Sequence, residues 1–299
     1  MKIVLLGYLI YCFVPVGHVW AQHRKTMSLE PNEILADACT LIDFSSERPS
    51  LDKLMIRLGD RVSIMGDSIT AAGGYIRLAE AVLKTNYPDF KLPPFVNAGV
   101  AGNCAEDMQP RFAKDMGLPG HPAWAFINVG VNDVGRRLNL PYDMGVLKAY
   151  RYNVSKMVEQ AQAAGAKVVL LTPTLLNEAV ESEGNKRLAS YVNVMKTIGE
   201  EKACAVVDLH DMFLTALRHK TPGVPLTSDG VHMAVYGDAI MAVGVLRAFG
   251  VPDSVIAQTD TLPLLQCRAW NMSAKRFIDL LEIPPTRLAK ADIIRGFSF

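Results

Sequence analysis

From about Asp60 to Phe249 the sequence alternates short apolar runs with longer segments of helical period, and this alternation constrains the fold more than any other feature. Arg61–Met65 reads as a first strand, and Gly73–Asn86 as a helix with Ile76, Leu78, Ala79, Val82 and Leu83 on one face, stopped by Tyr87-Pro88. Phe95-Val96 is a second strand and Ala123–Val129 a third. Asp143–Ala164 is a long amphipathic helix ended by Gly165, which feeds the strand Lys167–Leu171. Glu183–Lys202 is the next helix, Cys204–Val207 a fifth strand, and Tyr236–Phe249 a closing helix. Strands that are apolar without alternation have no face for water, so five of them separated by helices predict an α/β fold with a parallel sheet covered on both sides.

In such sheets chemistry gathers at the carboxyl ends of the strands. The first strand delivers Gly66-Asp67-Ser68 there, the second Asn97-Ala98-Gly99, and the third Gly130-Val131-Asn132-Asp133. The fourth delivers Thr172-Pro173-Thr174 and the fifth Asp208-Leu209-His210. Ser68 stands at a strand-to-helix turn, where free backbone N–H groups favour developing negative charge. Taken alone it reads first as a helix cap, and Thr70 departs from the G-x-S-x-G turn of α/β-hydrolases.

A serine nucleophile needs a base within hydrogen-bond reach, and that base needs a third group to hold its tautomer. Asp229-Gly230-Val231-His232 supplies both, because residues three apart at a tight turn or helix start can face each other. His210, between Asp208 and Asp211, is the second candidate base. An acyl-transfer site also needs donors aimed at the oxyanion. The Gly102 N–H in Gly99-Val100-Ala101-Gly102, the Asn132 amide and the Ser68 N–H are the candidates, from three strand ends.

These four blocks, Gly66-Asp67-Ser68-Ile69-Thr70, Asn97-Ala98-Gly99-Val100-Ala101-Gly102, Gly130-Val131-Asn132-Asp133 and Asp229-Gly230-Val231-His232, resemble, in this order, those of the SGNH (GDSL-type) hydrolase superfamily. The resemblance runs from about Arg61 to Phe249. It implies Ser68 as nucleophile, Asp229 and His232 as its triad partners, and Ser68, Gly102 and Asn132 as the oxyanion hole. It implies a flavodoxin-like three-layer α/β/α sandwich with five parallel strands. The first block carries Ile69 where the family name has Leu, as many carbohydrate-acting members do. The chemistry so implied needs no organic cofactor and no metal.

The termini lie outside the alternation. Met1-Lys2, the apolar run Ile3–Val16 and the small residue at the end of Val19-Trp20-Ala21 have the layout of a cleavable signal peptide over residues 1–21. Pro15 and Gly17 break that run, which is short for an anchor, so export to a secreted or periplasmic location is the expectation. The remaining organisation reads as an extension over 22–58, the hydrolase domain over 59–251, and a second extension over 252–299 packed on the same domain, with a helix at Ser273–Leu281. Beyond the leader the cysteines are Cys39, Cys104, Cys204 and Cys267, an even set that permits two disulfides in an oxidising compartment or equally four thiols. Asn153-Val154-Ser155 and Asn271-Met272-Ser273 fit a glycosylation pattern that arises often by chance, the first inside a helix.

Charge excludes other partners. Lys+Arg 31 against Asp+Glu 30 leaves +1, with no bulk field for nucleic acid or anionic lipid and no membrane insertion expected after cleavage. An exported member of this superfamily with a Gly-Asp-Ser-Ile-Thr block looks like the carbohydrate esterases that remove acetyl groups, so the expected partner is an acetylated polysaccharide or oligosaccharide. Trp124 and Trp270 are candidates for stacking on sugar rings, although a tryptophan in a strand is ordinarily core. A lipid-directed esterase or lysophospholipase is the alternative, followed by a non-catalytic glycan-binding protein.

Overall fold

The computed structural model describes residues 33–42, 54–220 and 222–259. The leader, Cys267, Trp270, the Asn271 tripeptide and the helix expected at Ser273–Leu281 lie outside the described residues.

Five strands form one all-parallel sheet: β1 (Val62–Gly66), β2 (Val96–Gly99), β3 (Trp124–Asn128), β4 (Lys167–Leu171) and β5 (Ala205–Val207), in the order β2-β1-β3-β4-β5. This is the flavodoxin-like order. β1 and β3 are buried at every position, Ser63 and Asn128 included, which is why they read as largely apolar runs. The helices are α1 (Ile34–Leu41), α2 (Ser68–Ala72), α3 (Gly74–Asn86), α4 (Ala105–Asp115), α5 (Val131–Gly135), α6 (Met144–Ala163), α7 (Glu183–Lys202), α8 (Leu209–His219), α9 (Val235–Ala248) and α10 (Asp253–Gln258). α3 packs on α9, and α9 also meets α1 and α8; α4 packs on α6, and α6 on α7. Right-handed crossovers place these two sets on opposite faces, because the connection from β2 to β3 runs in the reverse direction to that from β1 to β2.

α9 is buried along its whole length, so Val235–Ala248 is apolar on most of its circumference rather than striped, with Asp238 and Arg247 as its charged exceptions. Trp124 is 1% exposed, its ring edge-on to Phe249 at 4.9 Å, and its indole N–H donates to Asp60 at 2.9 Å. It is a core residue, and the sugar-stacking reading of Trp124 is corrected by its burial. Phe126 meets the same Phe249 ring at 5.1 Å. Each such buried aromatic contributes about 2–3 kcal/mol by burial alone.

Several boundaries differ from the sequence reading. β4 and α7 have the expected bounds, but β2 continues through Asn97-Ala98-Gly99 instead of ending at Val96. Asp208-Leu209-His210 follows β5 directly as expected, with Asp208 capping α8 and Leu209 opening it. α4 is not predicted from sequence because Pro110, which lies within it, ordinarily marks a helix boundary. α1, in the stretch read as an extension, buries Ile34, Leu35, Ala38 and Leu41 against the neighbouring helices. Cys104 and Cys204 stand as thiols, so two disulfides among the four cysteines do not form. Among the described residues no helix is long and apolar enough to cross a membrane.

Candidate active site

The strand order reverses at β1, with β2 on one side and β3 on the other, and the polar strand ends of the sequence meet there. Asp67 caps α2: its Oδ1 accepts the Ile69 N–H at 2.9 Å, and Ser68 becomes the first residue of the helix. The N–H at that position has no acceptor one turn back. The turn is tight because Gly99 of β2 lies directly under it. A Cβ at Gly99 would stand 2.6 Å from the Thr70 carbonyl carbon and 2.7 Å from Ala71 Cα, so only glycine fits.

His232 reaches Ser68 from the far end of the chain. Its Nε2 lies 2.9 Å from Ser68 Oγ, and its Nδ1 lies 2.6 Å from Asp229 Oδ2. The other oxygen, Oδ1, accepts the backbone N–H groups of His232 at 2.8 Å and Val231 at 3.0 Å. A carboxylate only accepts, so Nδ1 carries the proton and the Nε2 lone pair faces the serine hydroxyl. Burial would raise the Asp229 carboxyl, but these bonds outweigh it and hold it below its ordinary value. The spacing of three works through a turn rather than a helix: Gly230 takes φ +92°, and the Ser228 N–H closes the turn on the His232 carbonyl at 2.8 Å.

That turn is clamped by a residue the sequence reading missed. Glu178, in the loop between β4 and α7, accepts the Leu226 and Thr227 N–H groups at 2.7 Å each and the Thr227 hydroxyl at 2.9 Å, and pairs with Lys220 at 3.1 Å. Burial works against its charge, yet the four donors win and its carboxyl sits below its ordinary value. The Asn177 N–H also donates to the Gly230 carbonyl at 2.7 Å. Nothing in spacing marks Glu178, because its partners lie about fifty positions away.

The other strand ends form a connected rim. Gly102 takes φ +79°, and its carbonyl accepts from Arg136 at 2.5 Å. The Asn132 amide donates to the Asn103 carbonyl at 3.2 Å, which leaves its second proton available. The Val100 N–H donates to the Gly66 carbonyl at 3.0 Å, tying this loop to the residue two before Ser68. Asp133, beside Asn132 but given no role from sequence, accepts the Ala105 N–H at 3.2 Å and so joins α5 to the start of α4. Burial pushes its carboxyl up to about 7, and that of Asp67 up to about 6.

His210 is corrected as a candidate base. Its ring is buried with Nδ1 on the Thr174 carbonyl at 2.6 Å, while the position facing Ser68 is held by His232. Burial holds the His210 ring below the ordinary histidine value. Its expected carboxylate, Asp208, instead accepts the Asp211 N–H and pairs with Lys196. Among the described residues no cluster of three or more His, Cys, Asp or Glu side chains is arranged to hold a metal ion.

Known proteins carry the same arrangement of elements. An acetylxylan esterase of Geobacillus stearothermophilus is 27% identical over 215 residues, 66% of this chain and 97% of that one. Its crystal structure superposes with a TM-score of 0.61 at 27% identity, covering 67% of this chain and 98% of that one. Solved catalytic mutants of that esterase replace a serine, a histidine, and an aspartate three positions before that histidine. An alpha/beta hydrolase enzyme from the metagenome of Lake Arreo, Spain, is also 27% identical, with a TM-score of 0.60 and 67% of this chain and 99% of that one covered. The profile of the GDSL-like Lipase/Acylhydrolase family matches residues 64–240, a span of more than half the chain that takes in all four blocks. The chain therefore belongs to the GDSL-like lipase/acylhydrolase family and is a carboxylic ester hydrolase.

Proposed function

We propose that the protein is an exported serine esterase that removes short acyl groups, acetyl above all, from carbohydrate. The observation that carries the reading is the unbroken chain of hydrogen bonds from Asp229 through His232 to Ser68. His232 Nε2 takes the proton of Ser68 Oγ as that oxygen attacks the ester carbonyl, and Asp229 steadies the imidazolium that forms. The N–H groups of Ser68 and Gly102 and the free proton of the Asn132 amide receive the oxyanion. The alcohol leaves with the proton from His232, and water repeats the sequence on the acyl-enzyme.

Substrate class follows from access and likeness. The Asp229 and His232 side chains are 52% and 46% exposed, which suits an ester carried on a bulky hydrophilic chain. The similarity to an acetylxylan esterase supports acetylated polysaccharide or oligosaccharide as that chain. Export rests on residues 1–21 having the layout of a signal peptide, and amino-terminal sequencing of the mature protein tests it.

The deciding experiment measures acetate release by wild type and Ser68→Ala on acetylated xylan, other acetylated glycans, and p-nitrophenyl esters from acetate to octanoate. Ser68-dependent acetate release that collapses with chain length is the expected result. Preference for long acyl chains would move the reading to lipids. Equal rates with and without Ser68 would end the serine mechanism.

A further inference from the structure

We propose that Arg111 on α4 is a positioning residue that sets the spacing of the oxyanion donors by gripping the segments that carry Ser68 and Gly102 and, through Asn103, holding Asn132 in line with them; the inference rests on the esterase reading above. Its guanidinium makes an unusual set of contacts. Nη2 donates to the Gly66 carbonyl at 3.2 Å, two residues before Ser68. Nη1 donates to the Ala98 carbonyl at 2.8 Å, at the end of β2. Nε donates to the Asn103 side-chain oxygen at 2.8 Å, next to Gly102. Asn103 is in turn the residue whose carbonyl receives the Asn132 amide. The segments bearing Ser68 and Gly102 are thus joined through one planar group, itself anchored by Asp115 at 2.8 Å, and Asn132 is tied to that group through Asn103.

Only arginine can do this. Its five N–H donors form a rigid fork, whereas a lysine offers one point charge on a flexible stem and cannot serve three acceptors in three directions at once. The side chain is 19% exposed, so the carbonyls it serves would otherwise be poorly hydrated. Arg111 touches neither the proposed nucleophile nor its base. Its effect is on geometry, and geometry matters most where charge develops in the transition state.

The test uses the full chain as wild type, Arg111→Lys and Arg111→Met, with p-nitrophenyl acetate as substrate and a fluorophosphonate to titrate reactive Ser68. Arg111→Lys keeps the positive charge beside Asp115 and is the variant chosen to preserve the fold, checked by its thermal midpoint. Per titrated site, kcat should fall about 10-fold for Arg111→Lys and on the order of 10²-fold for Arg111→Met, with KM within about twofold of wild type. Wild-type kcat in a folded Arg111→Lys overturns the proposal. So does a loss that vanishes once rates are expressed per titrated Ser68, because that is the behaviour of a purely structural residue. A wild type without Ser68-dependent turnover overturns the esterase reading itself and is seen before any Arg111 variant is compared.

Discussion

Replacing Gly99 by alanine tests whether the seat of the turn that carries the proposed nucleophile, Ser68, sets the rate. The added Cβ would stand 2.6 Å from the Thr70 carbonyl carbon and 2.7 Å from Ala71 Cα, and an ordinary contact begins at 3.4 Å. The Ala71 amide nitrogen would be closer still, so β2 and the first turn of α2 must part by more than about 1 Å. Both neighbours are backbone, so no side-chain rotation relieves the clash. Gly99 is paired with Gly66 across the sheet, which limits how far β2 can retreat, and the movement falls on the turn that holds Ser68. A misplacement near 1 Å costs on the order of 10²-fold in rate, or about 2.7 kcal/mol of barrier, and overpacking of this kind costs about 1–3 kcal/mol of stability. Hydrolysis of p-nitrophenyl acetate, read together with a urea unfolding curve, measures both. Gly165→Ala is the control: it has φ +83° and nothing within 4 Å of its Cβ, at the turn entering the opposite end of β4. It should lose about 1–2 kcal/mol of stability through backbone strain and keep its kcat. A folded Gly99→Ala enzyme with kcat within threefold of wild type would refute the reasoning.

With Asn132 as the proposed oxyanion donor, Asn132→Ala should lower kcat by about 10²–10³-fold with little change in KM, because such a donor acts on the oxyanion and not on the bound ester; equal kcat would remove Asn132 from the oxyanion hole. Glu178→Gln replaces a carboxylate serving four donors with an amide that turns an N–H toward Lys220, and each charge-assisted bond lost is about 1.5–3 kcal/mol. Faster proteolysis between Lys220 and His232, with reduced kcat, is the expected result, and wild-type protection there would show that the clamp is idle. Stability should fall as pH rises from 5 to 8. Burial raises the carboxyls of Asp67, Asp133 and Asp238 to about 6, 7 and 7. Folded values above the unfolded ones give stability that is full at low pH and lost as pH climbs through them. His210, held below its ordinary value by burial, opposes this, one group against three. A urea midpoint at pH 8 equal to or above that at pH 5 contradicts the assignment.

What the sequence determined by itself was set by local and periodic physics. Strands buried on both faces must be largely apolar, so Val62–Gly66, Trp124–Asn128 and Lys167–Leu171 are visible as runs even with Ser63, Asn128 and the exposed Lys167 in them. Helices such as Glu183–Lys202 declare themselves by period. The blocks around Ser68, Gly102, Asn132 and His232 were legible because tight turns and a triad demand particular residue types at short spacing. What only the tertiary structure decided is set by long-range contact. Glu178 meets Thr227, and Arg111 meets Gly66, through distances in the chain that leave no period to read. His210 and His232 each lie near carboxylates in sequence, and folding alone separated them. One ring is buried against a backbone carbonyl, and the other is turned outward onto Ser68. Sequence states which side chains are available; the arrangement of the sheet decides which of them can touch.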